Sequence, residues 1–296
     1  MNKSKEFVKN LFKKNKKNIK ARKDAPFFIS KDREKIFGQT ALDMIKKCND
    51  SKYYNSEKGI ISVDKSRWLD AQEAEKNVWL RDFKKLKQDH NKLRKENFDN
   101  YDFLKGLKFN NVIEFGCGPF TNIRYILKIA QAKNIHLLDP LLKDYLEKSN
   151  CTYKSGKLVL GDNNFFNSFF GGKRSVNFHP CSIEEFDYNG KFDLIVMINV
   201  IEHCYDFNKI MNKVLELSEK GTYFVFQDRF LNIDEISKEF LNKYDAAHPL
   251  RVRKELLLNF LDENFITSLS KVKYYSCSRG KRDLSYYDFY YIGYKK

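Results

Sequence analysis

The chain has 296 residues, of which 42% are hydrophobic and 15% aromatic. A chain of this length and composition buries about three quarters of the surface that it exposes when unfolded, which excludes a wholly disordered protein. Its formal net charge is +16, but residues 1–23 hold ten basic residues and one acid, which leaves +7 for the remainder. No apolar run approaches the roughly 18 residues of a membrane-spanning helix, and no secretory core follows the basic N-terminus. We therefore expect a soluble, cytoplasmic protein.

The six cysteines are separated by at least 23 residues. No CxxC pair exists that could bind zinc or act as a dithiol couple, so we expect reduced, structural thiols. The positions are Cys48, Cys117, Cys151, Cys181, Cys204 and Cys277.

The basic leader, residues 1–23, carries apolar residues such as Phe7, Leu11 and Ile19 at helical spacing among its lysines. Two interpretations are open: an arm that rests on an anionic membrane surface or on nucleic acid, and a solvated Lys-rich tail. The tail is favoured because the periodicity does not extend beyond two turns. The arm would make the protein membrane-peripheral.

Residues 66–105 contain neither Pro nor Gly, and Trp68, Ala71, Val78 and Trp79 recur there at steps typical of one helix face. This pattern predicts one or two helices. Core packing is the favoured role of the aromatic stripe, and a lid over a ligand pocket is the alternative. We assign residues 24–105 to an N-terminal helical region or lid.

After residue 105, short apolar runs alternate with helical stretches, the pattern of βα units around a parallel sheet. We predict strands near 111–115, 135–138, 176–179, 192–198 and 222–227. We predict helices near 121–132, 141–148, 207–217 and 253–264. Two last β-rich stretches, 267–276 and 288–294, predict an antiparallel hairpin. The expected fold class is α/β, with a doubly wound, mostly parallel seven-stranded sheet in a domain over residues 106–296.

The most informative segment is residues 111–127, where an apolar strand leads into Gly116, Gly118 and then a helix. Glycine lets the backbone turn sharply and approach a ligand closely. Asp139 lies 23 residues after Gly116 at the end of the next apolar strand, where a carboxylate can accept two hydrogen bonds from a ribose diol. The third glycine of a dinucleotide fingerprint would fall at Thr121, so a phosphate-poor nucleoside ligand is favoured.

At these residues the sequence resembles the class I S-adenosylmethionine-dependent methyltransferases, whose first motif reads acid, any residue, Gly, any residue, Gly. The resemblance covers residues 105–295 and implies an enzyme of the Rossmann-like methyltransferase fold with S-adenosyl-L-methionine as its cofactor. Ser182 stands where the family usually has an Asp, and a hydroxyl accepts from the adenine amino group less strongly than a carboxylate does. The cofactor-binding residues implied by the resemblance are Glu114, Gly116, Cys117, Gly118, Asp139, Pro140, Ser182, Ile183 and Asn199.

Residues 199–206, NVIEHCYD, resemble the signature that follows the fourth strand in the small-molecule and lipid-quinone branch of this family. The acid and histidine here, Glu202 and His203, could orient a substrate, bind a divalent cation or stabilise the loop. Two ligands are too few to hold a metal ion, and we predict no metal site.

Residues 244–265 resemble the family segment that follows the fifth strand, which implies that His248 faces the substrate. An equal alternative is that His248 caps a helix or bonds to the backbone, although its position in a loop favours function. The nearby Arg251 and Arg253 could bind a carboxylate or phosphate on the acceptor.

The resemblance implies transfer of a sulfonium methyl group to an oxygen or nitrogen nucleophile, with His248 or His203 removing the acceptor's proton. Residues 67–79 resemble the helical preamble of bacterial methyltransferases of surface-polysaccharide synthesis, so a small-molecule or glycan hydroxyl is the favoured acceptor. One alternative is a nucleic-acid methyltransferase that uses the basic arm, which is disfavoured because most of the charge lies in the leader. The other is a non-catalytic nucleoside-binding scaffold, which has no need of the intact glycine and acid set.

Overall fold

The computed structural model describes residues 60–61, 65–82, 101–147, 153–154, 157–158, 175–230, 247–252, 254–278 and 283–296. All of them belong to one unit, Tyr54–Ile233 with Ala247–Lys296. The leader and most of the predicted helical region lie outside these described residues. Within the described ranges, no helix has the length and apolar character needed to cross a membrane.

A seven-stranded sheet forms the centre of the described structure, with strand order β6-β7-β5-β4-β1-β2-β3. Strands β1 to β5 pair with one another in parallel, whereas β7 is antiparallel to both of its neighbours, β5 and β6. This confirms the predicted mostly parallel seven-stranded α/β fold with a C-terminal antiparallel hairpin. The strands are β1 (Lys108–Phe115), β2 (Gln131–Leu138), β3 (Ser175–His179), β4 (Phe192–Ile198), β5 (Ser218–Phe230), β6 (Phe265–Ser278) and β7 (Asp283–Lys295).

Strand β1 lies in the middle of the sheet and its C-terminal half is buried, since Val112, Ile113 and Phe115 are at most 1% exposed. Such a run is typical of a parallel strand covered on both faces. Phe115 pairs with Leu138 of β2 on one side and with Met197 of β4 on the other, so three strands end side by side. Chain order reverses at β1, which is where open α/β sheets bind ligands.

The described residues form five α-helices of four to thirteen residues and several shorter elements. A π-helix, Val78–Asp82, continues α1, and short 3₁₀ helices lie at Tyr101–Leu104, Ile183–Glu185 and Ile201–His203. Two-residue strand pairs join Ile60–Ile61 to Arg251–Val252 and Tyr153–Lys154 to Lys157–Leu158. The α-helices are α1 (Lys65–Asn77), α2 (Ile123–Ile126), α3 (Leu142–Leu146), α4 (Phe207–Glu216) and α5 (Lys254–Asn264).

The predicted helix near 121–132 is wrong in length, because α2 has only four residues. The backbone after it is drawn to the sheet: Gly106 N donates to Ile129 O and Gln131 N donates to Leu107 O. Strand β2 therefore begins at Gln131, within the predicted helix. Long-range backbone hydrogen bonds override the local helical periodicity here.

Candidate active site

A cavity that is open to solvent lies where β1, β2, β3 and β4 end, and α1 forms one of its walls. Seven of the nine residues predicted to bind the cofactor line this cavity; Glu114 and Cys117 are not among the lining residues. The predicted seven are Gly116, Gly118, Asp139, Pro140, Ser182, Ile183 and Asn199.

Glu114 is fully buried beneath the cavity, at the end of β1. Its carboxylate accepts hydrogen bonds from the Thr121 hydroxyl and, at 2.9 Å each, from the backbone and side-chain nitrogens of Asn122. Burial raises the pKa of Glu114, and these donors counteract the rise. The acid of the glycine motif therefore ties the turn after β1 to the start of α2.

The glycine turn itself depends on left-handed backbone at Gly116 (φ +64°) and Gly118 (φ +54°). At Gly116 an added Cβ would lie 2.6 Å from a methyl carbon of Val200, a distance that real Cβ atoms do not tolerate. Val200 follows Asn199, which lines the cavity. The first glycine thus permits close packing of two cavity loops as well as the turn.

Gly116→Ala is expected to weaken binding of S-adenosylhomocysteine at least about tenfold, because the new methyl group displaces Val200 and its neighbour Asn199. Gly106→Ala is the matched control: Gly106 also has a positive φ (+79°), but nothing lies within 4 Å of its added Cβ. Each variant should lose about 1–2 kcal/mol of stability from backbone strain. Calorimetry on both variants measures the affinity, and equal affinities would show that the contact with Val200 does not matter.

Asp139 follows β2 and holds two cavity loops together. Its Oδ2 accepts from Gly118 N and its Oδ1 from Leu141 N, both at 2.9 Å. The residue is 8% exposed and lines the cavity. An ionised carboxylate offers about four acceptor sites, so two backbone donors do not exhaust its capacity to bind a ribose diol.

The loop after β3 carries the predicted adenine contacts, Ser182 and Ile183, both about 3% exposed at the cavity wall. The Ser182 hydroxyl lies 3.4 Å from Glu185 Oε2. The adjacent Glu184 also lines the cavity, and its Oε1 accepts from Tyr205 N at 2.8 Å. Burial raises the pKa of Glu184. Glu184 therefore connects this loop to the loop after β4, a role that the sequence analysis did not foresee.

The side chain of Asp228, in β5, stabilises the turn after β4. Asp228 Oδ2 accepts from Val200 N at 3.0 Å and from Ile201 N at 2.7 Å. Burial, followed by the charge of Glu202, raises the pKa of Asp228 to about 7. These bonds keep Asn199 at φ +57°, a left-handed conformation that Asn tolerates better than most residues.

The structure brings His203 and His248 together, with their ring centroids 4.5 Å apart. His203 lines the cavity, whereas His248 is not among the lining residues. Nδ1 of His203 lies 3.2 Å from Ala247 O, and Nε2 of His248 lies 3.5 Å from Glu202 Oε1. Of the two predicted proton acceptors, His203 is thus the one with direct access to the cavity.

Helix α1 supplies a wall that sequence reasoning assigned mainly to core packing. Trp68, Gln72 and Glu75 of α1 line the cavity, and so does Trp79 of the π-helix that continues it. Trp68 is only 6% exposed and is also packed like a core residue. The stripe therefore contributes to core packing and to the cavity wall at the same time. The helical spacing of these residues was visible in the sequence, but the surface against which they pack was not.

Glu75, His203 and His248 also form a group that could hold a metal ion by geometry, with one potential ligand atom of each within 4.8 Å of the others. The prediction of no metal considered only Glu202 and His203. Glu75 and His248 lie far from this pair along the chain, so spacing gave no sign of the group. Arg251 and Arg253, the predicted acceptor contacts, have side chains outside the described part of the structure.

A family model described as a methyltransferase domain matches residues 83–269. The chain belongs to this family. With the strand order and the glycine turn, the match confirms the expected class I S-adenosylmethionine-dependent methyltransferase. S-adenosyl-L-methionine is its cofactor, as expected, and the cavity offers such a nucleoside the glycine turn and the Asp139 carboxylate at its wall.

The methyltransferase is also similar to solved structures at low identity. The N-methyltransferase NodS from Bradyrhizobium japonicum, in complex with S-adenosylhomocysteine, is 13% identical, with 76% of this chain and 98% of that chain covered and a TM-score of 0.47. The YcgJ protein from Bacillus subtilis is 11% identical, with 66% and 96% covered and a TM-score of 0.48. A search of curated proteins found no match.

Proposed function

We propose that the methyltransferase transfers a methyl group to a hydroxyl of a small-molecule or glycan acceptor, with His203 or His248 assisting removal of the hydroxyl proton. The observation that carries this proposal is the position of His203, which lines the same cavity as the predicted cofactor residues. The NVIEH segment is then the part of the chain that joins the cofactor side to the acceptor side. The methyltransferase domain would span residues 106–296, preceded by a helical region at 24–105 and the basic arm at 1–23.

The cofactor side is the half of the cavity formed by the strand ends. When bound, S-adenosylmethionine supplies a methyl group activated by a positively charged sulfur. Asp139 would bind the ribose, Ser182 and Ile183 the adenine, and Asn199 would lie near the methionine end. The backbone at Gly116 and Gly118 allows close approach.

The acceptor side is the half formed by α1 and His203. A neutral imidazole near pH 7 can take a proton from a hydroxyl within reach. Trp68 and Trp79 line the same cavity, and their rings would shelter the reacting atoms from water once the ligands are bound. Among the described lining residues there are three carboxylates, Glu75, Asp139 and Glu184, and no Lys or Arg. Such a wall favours an uncharged hydroxyl over an acceptor with a phosphate or carboxylate near the reacting group.

The first test is calorimetry of S-adenosylmethionine and S-adenosylhomocysteine, with NAD and ATP as controls. Micromolar binding of the first two alone is expected. The second is transfer of a labelled methyl group to panels of sugars, other small hydroxyl compounds, amines and RNA. Label on hydroxyl oxygen supports the proposal, whereas label on amines or RNA would replace it with N-methylation or the nucleic-acid alternative.

A further inference from the structure

We propose that Glu75 is a positioning residue that acts through His203: its carboxylate stabilises the positive charge that the imidazole acquires when it takes the acceptor's proton. This inference rests on the proposed function in taking His203 as the proton acceptor. Glu75 precedes the segment that matches the methyltransferase family, residues 83–269. The active site would therefore include a residue supplied by the N-terminal helical extension.

The carboxylate of Glu75 lies next to the imidazole of His203, and both residues line the cavity. Its Oε2 lies 3.9 Å from His203 Nδ1, and each of the two side chains is only 18% exposed. Its Oε1 accepts a hydrogen bond from the indole nitrogen of Trp79. Because that donor is neutral, it orients the carboxylate without cancelling its charge. A charge pair this close and this sheltered from water interacts more strongly than a surface pair.

Helix α1 docks on His203 through more than this one side chain. The indole nitrogen of Trp68 and the amide nitrogen of Gln72 both donate to the backbone oxygen of His203, each at 3.0 Å. Trp68 also packs on Tyr205, with ring centroids 5.2 Å apart. Residues 68, 72 and 75 lie on one face of the helix, so these bonds set the height and rotation at which Glu75 meets the imidazole.

Several other charged groups lie near His203. Glu75 is the carboxylate that reaches it from α1. Glu202 Oε1 lies 3.5 Å from both the Arg229 guanidinium and His248 Nε2, and the guanidinium partly offsets its charge. The Asp228 carboxylate is occupied by the backbone of the turn. The groups that face His203 or its immediate neighbours are thus Glu75, Glu202, Asp228, Arg229 and His248.

The chemical step makes a stabilised imidazolium useful. The acceptor oxygen forms a bond to the methyl carbon while the carbon–sulfur bond breaks and its electron pair stays on sulfur. The hydroxyl proton moves to an imidazole nitrogen of His203 and later leaves to solvent. A carboxylate beside the ring favours its protonated form, as it does for other cations.

An NMR titration of the full chain tests the inference without any acceptor. The protein has five histidines, so the imidazole C–H signals can be assigned with a His203→Gln variant. In Glu75→Gln, recorded with a chelator so that no metal ion competes with protons, the His203 pKa should fall by about one unit. Glu75→Asp, which keeps the charge on a shorter side chain, should restore part of this value.

Glu73→Gln is the matched control, because Glu73 lies exposed on the same helix and contacts only Asn77 among the bonds described for it. It should leave the His203 pKa unchanged. An unchanged pKa in Glu75→Gln, in protein that still binds S-adenosylhomocysteine, would overturn the inference and leave the proposed function standing. If the wild-type protein does not bind S-adenosylhomocysteine at all, the proposed function itself is wrong. In transfer assays, Glu75→Gln should move the acidic limb of the pH profile of kcat to lower pH.

Discussion

Replacing His203 with glutamine is expected to slow methyl transfer by about 10²–10⁴-fold, the usual contribution of a general base. His203 lines the cavity, and its ring is held by Ala247 O at 3.2 Å and faced by Glu75. Glutamine is polar and of similar length, but it does not accept a proton near neutral pH. Affinity for S-adenosylhomocysteine should change little, because the predicted cofactor contacts lie at the strand ends.

His248→Ala provides the comparison within the same pair. It should also slow transfer, with little change in cofactor affinity. The loss of rate should be smaller than in His203→Gln, because His248 contacts Glu202 and is not among the cavity-lining residues. Single-turnover rates at saturating cofactor measure the chemical step. A larger loss in His248→Ala would exchange the roles of the two histidines. Unchanged rates in both variants would remove histidine from the mechanism.

Replacing Asp139 with asparagine is expected to weaken S-adenosylhomocysteine binding by about 10- to 100-fold, since hydrogen bonds to a charged group contribute about 1.5–3 kcal/mol. Asparagine keeps the size of the side chain and one acceptor oxygen, so it retains one of the two bonds, to Gly118 N or to Leu141 N, and loses the other. Asp139→Ala would lose both loop contacts together with the predicted ribose contact. The conservative variant therefore reports more directly on the ligand.

The matched control for this substitution is Asp193→Asn. Asp193 is likewise a carboxylate that accepts from backbone nitrogens, those of Asn110 and Asn111, but it lies at the start of β4, away from the cavity. Calorimetry should show unchanged affinity in the control. Equal affinity in Asp139→Asn and wild type would show that the ribose assignment is wrong.

The alternation of strands and helices, the glycine turn and Asp139 could all be predicted from the sequence because their causes are local. Burial on both faces makes a parallel strand uniformly apolar, and a left-handed turn at Gly116 requires glycine whatever surrounds it. Even so, the helix predicted near 121–132 has only four residues in the structure, because the backbone from Gln131 onwards forms a strand of the sheet.

The composition of the proposed acceptor side was decided by tertiary structure alone. The sequence by itself determined the fold class, the family resemblance and the stretch of chain that carries each cofactor motif. It offered His203 and His248 as equals and gave Glu75 no role. Only packing of α1 on the loop after β4 places Glu75 at 3.9 Å from His203, and only the folded chain shows that His203 lines the cavity whereas His248 does not. Contacts between segments far apart in sequence leave no periodic signal in either segment, so they become visible only when the chain is folded.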